Sequence, residues 1–125
     1  AAVEAARQTP NASQLYEPFL DIGIDLPDAI RGARQVGESL FIIASGGIRH
    51  GMDASRCLWL GADIAGIAGG ALRALEDENG VCHESRLDDY LSDFIQQIKL
   101  SLFLTGNQSI TNFRKMARIR QNYAD

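Results

Sequence analysis

Two pairs of glycine residues stand at the ends of short apolar runs and could bind an anion through the main chain. The pairs are Gly46-Gly47 and Gly69-Gly70. Because glycine has no Cβ, successive glycines after a strand can bring the backbone close to a ligand and aim their N–H groups at it. Arg49 would add a forked cationic donor that suits phosphate oxygens. Taken alone, the first pair is equally consistent with a plain strand-to-helix turn and a solvated arginine.

The second pair strengthens the prediction of an anion site because a short helix is expected directly after it, at 71–75. The unpaired N–H groups and the positive dipole end of a helix favour an anion. In (β/α)8 enzymes, a phosphate site is frequently built from the loops after strands seven and eight and the N-terminus of a short extra helix. We therefore expect the two glycine turns to form one site.

The sequence around these turns alternates between patterns typical of helices and of strands, and the predicted elements must position the turns. Residues 27–36 and 53–60 repeat apolar side chains at helical spacing, and a glycine follows each segment. Residues 40–44 and 64–68 are short apolar runs without alternation, which is typical of parallel strands covered on both faces. The short connections predict two parallel strands joined by a right-handed crossover, so the fold class is α/β.

Further helices are predicted on either side of this unit. Residues 1–8 are rich in alanine and helix-prone, and 87–104 repeat apolar residues at helical spacing and predict a long helix. A last helix would be capped by Ser109 or Thr111. We expect the basic cluster at 114–120 to lie on a solvated helix face.

Two parallel strands are too few to make a stable sheet, since an isolated pair of strands is marginal in water. Either the strands belong to a larger barrel of which this chain is the C-terminal portion, or identical chains supply the missing edges to one another. We favour the portion, because a closed (β/α)8 barrel takes about 250 residues and this chain has 125.

Composition argues against several classes of partner. The net charge is -4 and the basic residues are scattered, so nucleic acid is not expected. No apolar run is long enough to span a membrane, and residues 1–13 lack the pattern of a signal peptide, so we expect a cytoplasmic protein. Cys57 and Cys82 have no C-x-x-C spacing and are expected to be free thiols.

Three polar residues near the motifs have structural explanations. Asp53 falls in the first turn of a helix, where the dipole stabilises a carboxylate. His50 follows Arg49 and could touch a phosphate, but a loop histidine is more often solvated. His83 lies beside a cysteine, yet the sequence offers no further metal ligands at suitable spacing.

The segment SGGIRHGMDASRCLWLGADIAGIAGGAL, at 45–72, carries a family resemblance. It resembles the FMN-phosphate segment of FMN-dependent (β/α)8 enzymes, in which a G-G-x-R-x-G-x-D turn precedes a helix, an L-G-A-D sequence and a strand that ends in small residues. The pattern is most similar to that of type 2 isopentenyl-diphosphate isomerases. FLDIGI at 19–24 and LFLTGNQSITNFRK at 102–115 are similar to flanking motifs of that family, so the resemblance covers about 3–115.

The resemblance implies that the chain is the C-terminal part of an FMN-binding TIM-barrel domain, with 40–44 as strand seven and 64–68 as strand eight. It implies FMN contacts, mostly through the backbone, from Gly46, Gly47, Ile48, Arg49, Ala68 and Gly69. Separately from the resemblance, we expect a homo-oligomer. The implied reaction interconverts isopentenyl and dimethylallyl diphosphate, with reduced FMN in a proton-shuffling role. Mg²⁺ and NADPH are also implied, but no ligands for them are identified in this chain. The family's catalytic residues have no counterparts here, so we expect the chain to be inactive without the missing N-terminal part or other subunits.

Two alternatives stay open. FMN-dependent 2-hydroxy-acid oxidases and dehydrogenases are similar through strands seven and eight, but they carry an H-G-x-R-Q stretch upstream, and this chain has no histidine before His50. The chain could also be a non-catalytic, self-associating half-barrel whose glycine turns bind sulfate, phosphate or nothing. That alternative predicts a defined oligomer without flavin.

Overall fold

The computed structural model describes residues 17–19 and 22–121. The predicted helix at 1–8 lies outside this part of the chain. A 3-10 turn at Glu17–Phe19 precedes a mixed α/β arrangement. The elements in chain order are α1 (Leu26–Val36), β1 (Ile43–Ser45), α2 (Gly51–Leu60), β2 (Ile64–Gly66), α3 (Gly69–Leu75), α4 (Glu84–Leu104) and α5 (Ile110–Gln121).

The two strands are parallel, as the sequence predicts, and α2 connects them. Ile43 pairs with Ile64 and Ser45 pairs with Gly66. Each strand has three residues and is therefore shorter than predicted. Residues 40–42 approach the sheet without forming ladder pairs, although Ile42 already accepts hydrogen bonds from 63 and 64 through its carbonyl oxygen.

The predicted helices are all present within 26–121, and their ends follow from local capping. Pro27 lies in the first turn of α1, where its missing N–H is not needed. His50 caps α2, and Gly61 ends that helix in a left-handed conformation with φ 115°. Ser109 is the cap of α5, since its hydroxyl accepts a hydrogen bond from the Asn112 N–H at 3.2 Å.

The core lies on one face of the strands. Ile42 and Ala44 point to this face and pack with Ile30 of α1 and with Ala54 and Cys57 of α2. The side chains that alternate with them point the other way, because successive residues of a strand face opposite sides. The expectation of strands covered on both faces is therefore not met within the described chain. Two isoleucines are left exposed on the second face, Ile43 by 62% and Ile64 by 47%.

A glycine allows α2 and α4 to pack closely. The backbone of Gly51 lies so near α4 that a Cβ would fall 2.8 Å from the Gln97 Cβ and even closer to the Phe94 carbonyl oxygen. The Gly51 N–H donates a hydrogen bond of 2.7 Å to Gln97 Oε1. This glycine of the G-G-x-R-x-G motif is therefore explained by helix packing.

A carboxylate joins several elements at the amino ends of the strands. Asp63 accepts hydrogen bonds from the Ile42 N–H at 2.8 Å and from Arg34 Nη2 at 3.0 Å. It also pairs with Arg114 of α5. The prediction that the basic cluster lies on a solvated face is wrong for Arg114, whose side chain is only 23% exposed, because this ion pair draws it inward.

Several opposing effects set the pKa of Asp63. Partial burial raises the pKa, but the Ile42 N–H and the two guanidinium groups stabilise the charged form and leave the pKa below its ordinary value. The Asp63 carboxylate is therefore an electrostatic anchor that ties α1, α5 and both strands together.

Candidate anion site

The two glycine turns leave the same edge of the sheet. Ser45 and Gly66 are register partners at the carboxyl ends of adjacent parallel strands. Gly46-Gly47 follows the first strand directly, and Ala68-Gly69 follows the second after one residue. The ends of parallel strands meet at one edge, which is the place where open α/β sheets bind ligands.

The first turn needs glycine for its backbone conformation. Gly46 has φ 103° and Gly47 has φ 74°, both in the left-handed region that other residues rarely adopt. Apart from each glycine and its two chain neighbours, no heavy atom of the described chain lies within 4 Å of the position that a Cβ would take at either residue. The turn is therefore an open backbone surface, and neighbouring side chains do not explain its glycines.

Asp53 lies in the first turn of α2, as the sequence predicts, and it also fixes the end of the first glycine turn. One carboxylate oxygen accepts a hydrogen bond of 3.2 Å from the Arg49 N–H, and His50 Nδ1 accepts one of 3.3 Å from the Asp53 N–H. His50 is thus a helix cap. The Arg49 guanidinium is 3.6 Å from Asp53 and its side chain is 72% exposed, so it can turn towards a ligand.

The second turn brings an arginine that the sequence reasoning missed. Ala68 is the N-cap residue of α3. The Arg73 guanidinium lies back over the start of this helix, with Nη1 3.3 Å from the position of a Cβ on Gly69. Among residues 22–116, Arg73 forms no ion pair with a carboxylate. The spacing of four residues between Gly69 and Arg73, which places both on one helix face, was the signal available in the sequence.

Tyr90 of α4 contacts both turns. Its hydroxyl donates a hydrogen bond of 2.8 Å to the Arg49 carbonyl oxygen. Its ring lies against Gly70, where a Cβ would be 2.9 Å from Tyr90 Cζ and still closer to the phenol oxygen. No sequence motif singles out this tyrosine, because its two contacts are distant along the chain.

The six predicted site residues therefore lie on two neighbouring turns. They differ in whether the main chain or the side chain could contact a bound anion. Ile48 is buried in the core, so only its main chain can serve a ligand. Ala68 and Gly69 can offer amides, and Arg49 can offer its side chain, because its amide already donates to Asp53. The arrangement can bind an anion through main-chain donors and cations. The His50 and Asp53 side chains at the first turn are engaged at the start of α2, where the Asp53 N–H donates to His50 Nδ1.

Other polar groups belong to the loop between α3 and α4. The Asp77 carboxylate accepts hydrogen bonds from His83 Nε2 at 2.9 Å and from the Val81 and Asn79 amides, and these bonds lower the pKa of Asp77 to about 2. Cys82 is exposed nearby, and Cys57 is buried with a pKa raised by burial and by the Asp53 charge. Both thiols are free, as predicted. In the part of the chain that the structure describes, no group of three potential ligands could hold a metal ion.

The longest described helix, α4, has 21 residues. Neither it nor any other helix within the described ranges has the length and apolar character needed to cross a bilayer.

Comparison with known proteins gives one family. The sequence model of the FMN-dependent dehydrogenase family matches residues 24–120. Curated relatives named isopentenyl-diphosphate delta-isomerase align over nearly the whole chain. The protein from Rickettsia bellii strain RML369-C is 34% identical over 123 residues, which is 97% of this chain and 34% of the relative. The protein from Stutzerimonas stutzeri is 36% identical over the same shares.

The relative from Xanthobacter autotrophicus is 32% identical over 116 residues, which is 93% of this chain and 32% of the relative. The chain thus spans about one third of the length of these curated relatives. Their names are those of the isomerase to which the sequence motifs pointed, and the predicted resemblance is confirmed.

Proposed function

Because the chain belongs to the FMN-dependent dehydrogenase family, we propose that its two glycine turns bind the phosphate of FMN. The observation that carries this proposal is the meeting of the open turn at Gly46-Gly47 with a second glycine turn at one edge of a parallel sheet. A phosphate between these turns would accept hydrogen bonds from main-chain amides on both sides. The open backbone at Gly46 and Gly47 fits such a group, because a side chain at either residue would enter the space that the phosphate needs.

The proposed ligands divide into amides and cations. Gly46, Gly47 and Ile48 contribute main-chain N–H groups from the first turn. Ala68 and Gly69 complete the site from the second turn.

Arg49 and Arg73 supply the positive charge of the proposed site. The Arg49 side chain is largely exposed, and the Arg73 guanidinium already lies over Gly69. Two guanidinium groups suit a phosphate dianion because each can donate two parallel hydrogen bonds to its oxygens.

We place the strands as the seventh and eighth of a (β/α)8 barrel. The exposed face that carries Ile43 and Ile64 supports this placement, since the inward face of a barrel strand packs against side chains from the other strands. The other strands would come from the part of the relatives that this chain does not span.

In the complete protein the proposed activity is the interconversion of isopentenyl and dimethylallyl diphosphate. The names of the relatives support it. FMN, when bound, supplies the flavin ring at which a proton is exchanged, whereas this chain holds the phosphate. We propose no catalytic residue within the chain and expect it to be inactive alone. Roles for Mg²⁺ and NADPH stay predictions from the resemblance, and a homo-oligomer and a cytoplasmic location stay predictions from the sequence.

The phosphate site is tested by NMR on the ¹⁵N-labelled chain. We expect the amide signals of Gly46, Gly47 and Gly69 to shift on addition of FMN and of inorganic phosphate, and to stay in place with riboflavin, which lacks the phosphate. Gly37 and Gly106 serve as internal controls from other parts of the chain. A dispersed spectrum in which the three signals ignore FMN and phosphate would contradict the proposed site.

The isomerase activity is tested in a hybrid protein. The aligned third of the Rickettsia bellii relative is replaced by this chain, and flavin content and isomerisation of isopentenyl diphosphate are measured. We expect the hybrid to retain FMN and to form dimethylallyl diphosphate. Retention of FMN without isomerisation, together with oxidation of 2-hydroxy acids, would favour the oxidase alternative.

A further inference from the structure

We infer that Tyr90 is a positioning residue that holds the two glycine turns at the separation one phosphate requires. This inference rests on the proposed phosphate site and adds a residue that does not touch the ligand. Tyr90 lies on α4, whereas the proposed ligands lie in the turns before α2 and α3. A single side chain thus contacts both halves of the site from behind.

The contact with the first turn is a hydrogen bond. The Tyr90 hydroxyl donates to the Arg49 carbonyl oxygen at 2.8 Å, over a separation of 41 residues. The amide on the other side of Arg49 donates to Asp53. Both peptide groups of Arg49 are therefore held by hydrogen bonds, directly beside the Gly47 and Ile48 amides of the proposed site.

The contact with the second turn is steric. The Tyr90 ring occupies the space where residue 70 would place a Cβ, with Cζ 2.9 Å and Cε2 3.5 Å from that position. Only glycine lets the start of α3 approach the ring this closely. Gly70 is thus explained by Tyr90, and the position of the neighbouring Gly69 amide depends on that contact.

The ring itself is supported by its own helix. Phe94, one turn further along α4, has its ring centroid 6.0 Å from that of Tyr90 at an interplanar angle of 51°. Such a tilted pair is a favoured aromatic arrangement. Replacement of Tyr90 by phenylalanine would keep this contact and the wall at Gly70 while removing the bond to Arg49.

The test compares variants in the NMR titration of the ¹⁵N-labelled chain with FMN and with inorganic phosphate. In the wild-type chain we expect the amide signals of Gly46, Gly47 and Gly69 to give the same Kd as one another for each of the two ligands. Tyr90→Phe should raise that Kd by about 3- to 10-fold, as expected for one lost hydrogen bond. The control is Ser101→Ala, which removes another hydroxyl of α4 that donates to a backbone carbonyl, at 2.9 Å to Gln97. It should leave the Kd unchanged.

A second pair of variants tests the steric contact. Gly70→Ala should weaken phosphate binding in the wild-type background, because the new methyl group pushes α3 away from Tyr90. In a Tyr90→Leu background the ring is gone, so Gly70→Ala should have much less additional effect on the Kd. This non-additivity is a signature that a merely destabilised chain would not give.

The possible results separate the two proposals. If the wild-type chain gives a dispersed spectrum and Gly46, Gly47 and Gly69 respond to neither anion, the proposed phosphate site fails and the role of Tyr90 fails with it. If the wild-type chain binds phosphate and Tyr90→Phe binds it equally well, the phosphate site stands and the positioning role is overturned. Additive effects of Gly70→Ala and Tyr90→Leu would overturn the steric part in the same way.

Discussion

The contact of α2 with α4 at Gly51 gives a prediction whose magnitude can be worked from the structure. In Gly51→Ala, the new methyl carbon would stand 2.8 Å from Gln97 Cβ and 3.0 Å from the Ile98 nitrogen. Carbon atoms pack best at about 3.5–4.0 Å, so α2 and α4 must separate locally by roughly 1 Å. The Gly51 N–H would then lose its hydrogen bond to Gln97 Oε1.

The expected cost is the sum of three terms. Overpacking a tight contact costs about 1–3 kcal/mol, and the lost hydrogen bond costs about 1 kcal/mol. The better helix propensity of alanine offsets up to about 1 kcal/mol. We therefore expect Gly51→Ala to lower the free energy of unfolding by about 2 kcal/mol. With a urea m-value of roughly 2 kcal/mol/M, the midpoint of unfolding falls by about 1 M.

Urea unfolding followed by helical circular dichroism measures this change. The matched control is Gly32→Ala, since Gly32 is also helical and, beyond its neighbours and the backbone of its own helix, no heavy atom of the described chain lies within 4 Å of its Cβ position. That control should stabilise the chain by about 0.5–1 kcal/mol, because alanine is the better helix former. If Gly51→Ala proves as harmless as Gly32→Ala, the two helices do not approach as closely as the structure indicates.

The remaining predictions concern charge and the turns. Asp63→Asn should lower the free energy of unfolding by about 3 kcal/mol at pH 7, because it removes the counter-charge of both Arg34 and Arg114, whose side chains are partly buried. Because the pKa of Asp63 is lowered in the folded chain, its contribution is present above the unfolded pKa of about 4 and is lost as the pH falls through the lower folded pKa. Urea midpoints of the two proteins should therefore converge in acid, and a constant difference down to pH 2 would contradict this. Arg73→Ala should raise the Kd for inorganic phosphate about 10-fold, whereas Arg56→Ala, a control with its side chain 70% exposed, should not change it. Gly47→Val should abolish FMN retention in the hybrid protein, and normal flavin occupancy there would refute the assigned turn.

The order and type of the elements could be predicted from the sequence, because local patterns determine them. The apolar run before Ser45, the cap at Ser109 and the stop at Gly61 are all readable within a few residues. The first and last residues of the parallel strands are harder to predict from the sequence. They depend on the partner strand, and the structure accordingly begins β1 at Ile43 instead of residue 40.

Contacts between distant residues could not be predicted in the same way. Arg114 was expected on a solvated face because its helix is strongly basic, yet Asp63, 51 residues earlier, pairs with it. The role of Tyr90 could not be predicted either, because the residues that it contacts are distant along the chain. Only the folded chain places its hydroxyl beside the Arg49 carbonyl.

The glycines of the segment at 45–72 include four with different structural causes, and only some of them bear on function. Gly46 and Gly47 are required by positive φ and face open space. Gly51 is required by the approach of α4, and Gly70 by the ring of Tyr90. A protein could therefore keep the last two glycines for packing alone, with no ligand at all. The case for a phosphate site depends on the first two, because neighbouring side chains give no reason for their open backbone.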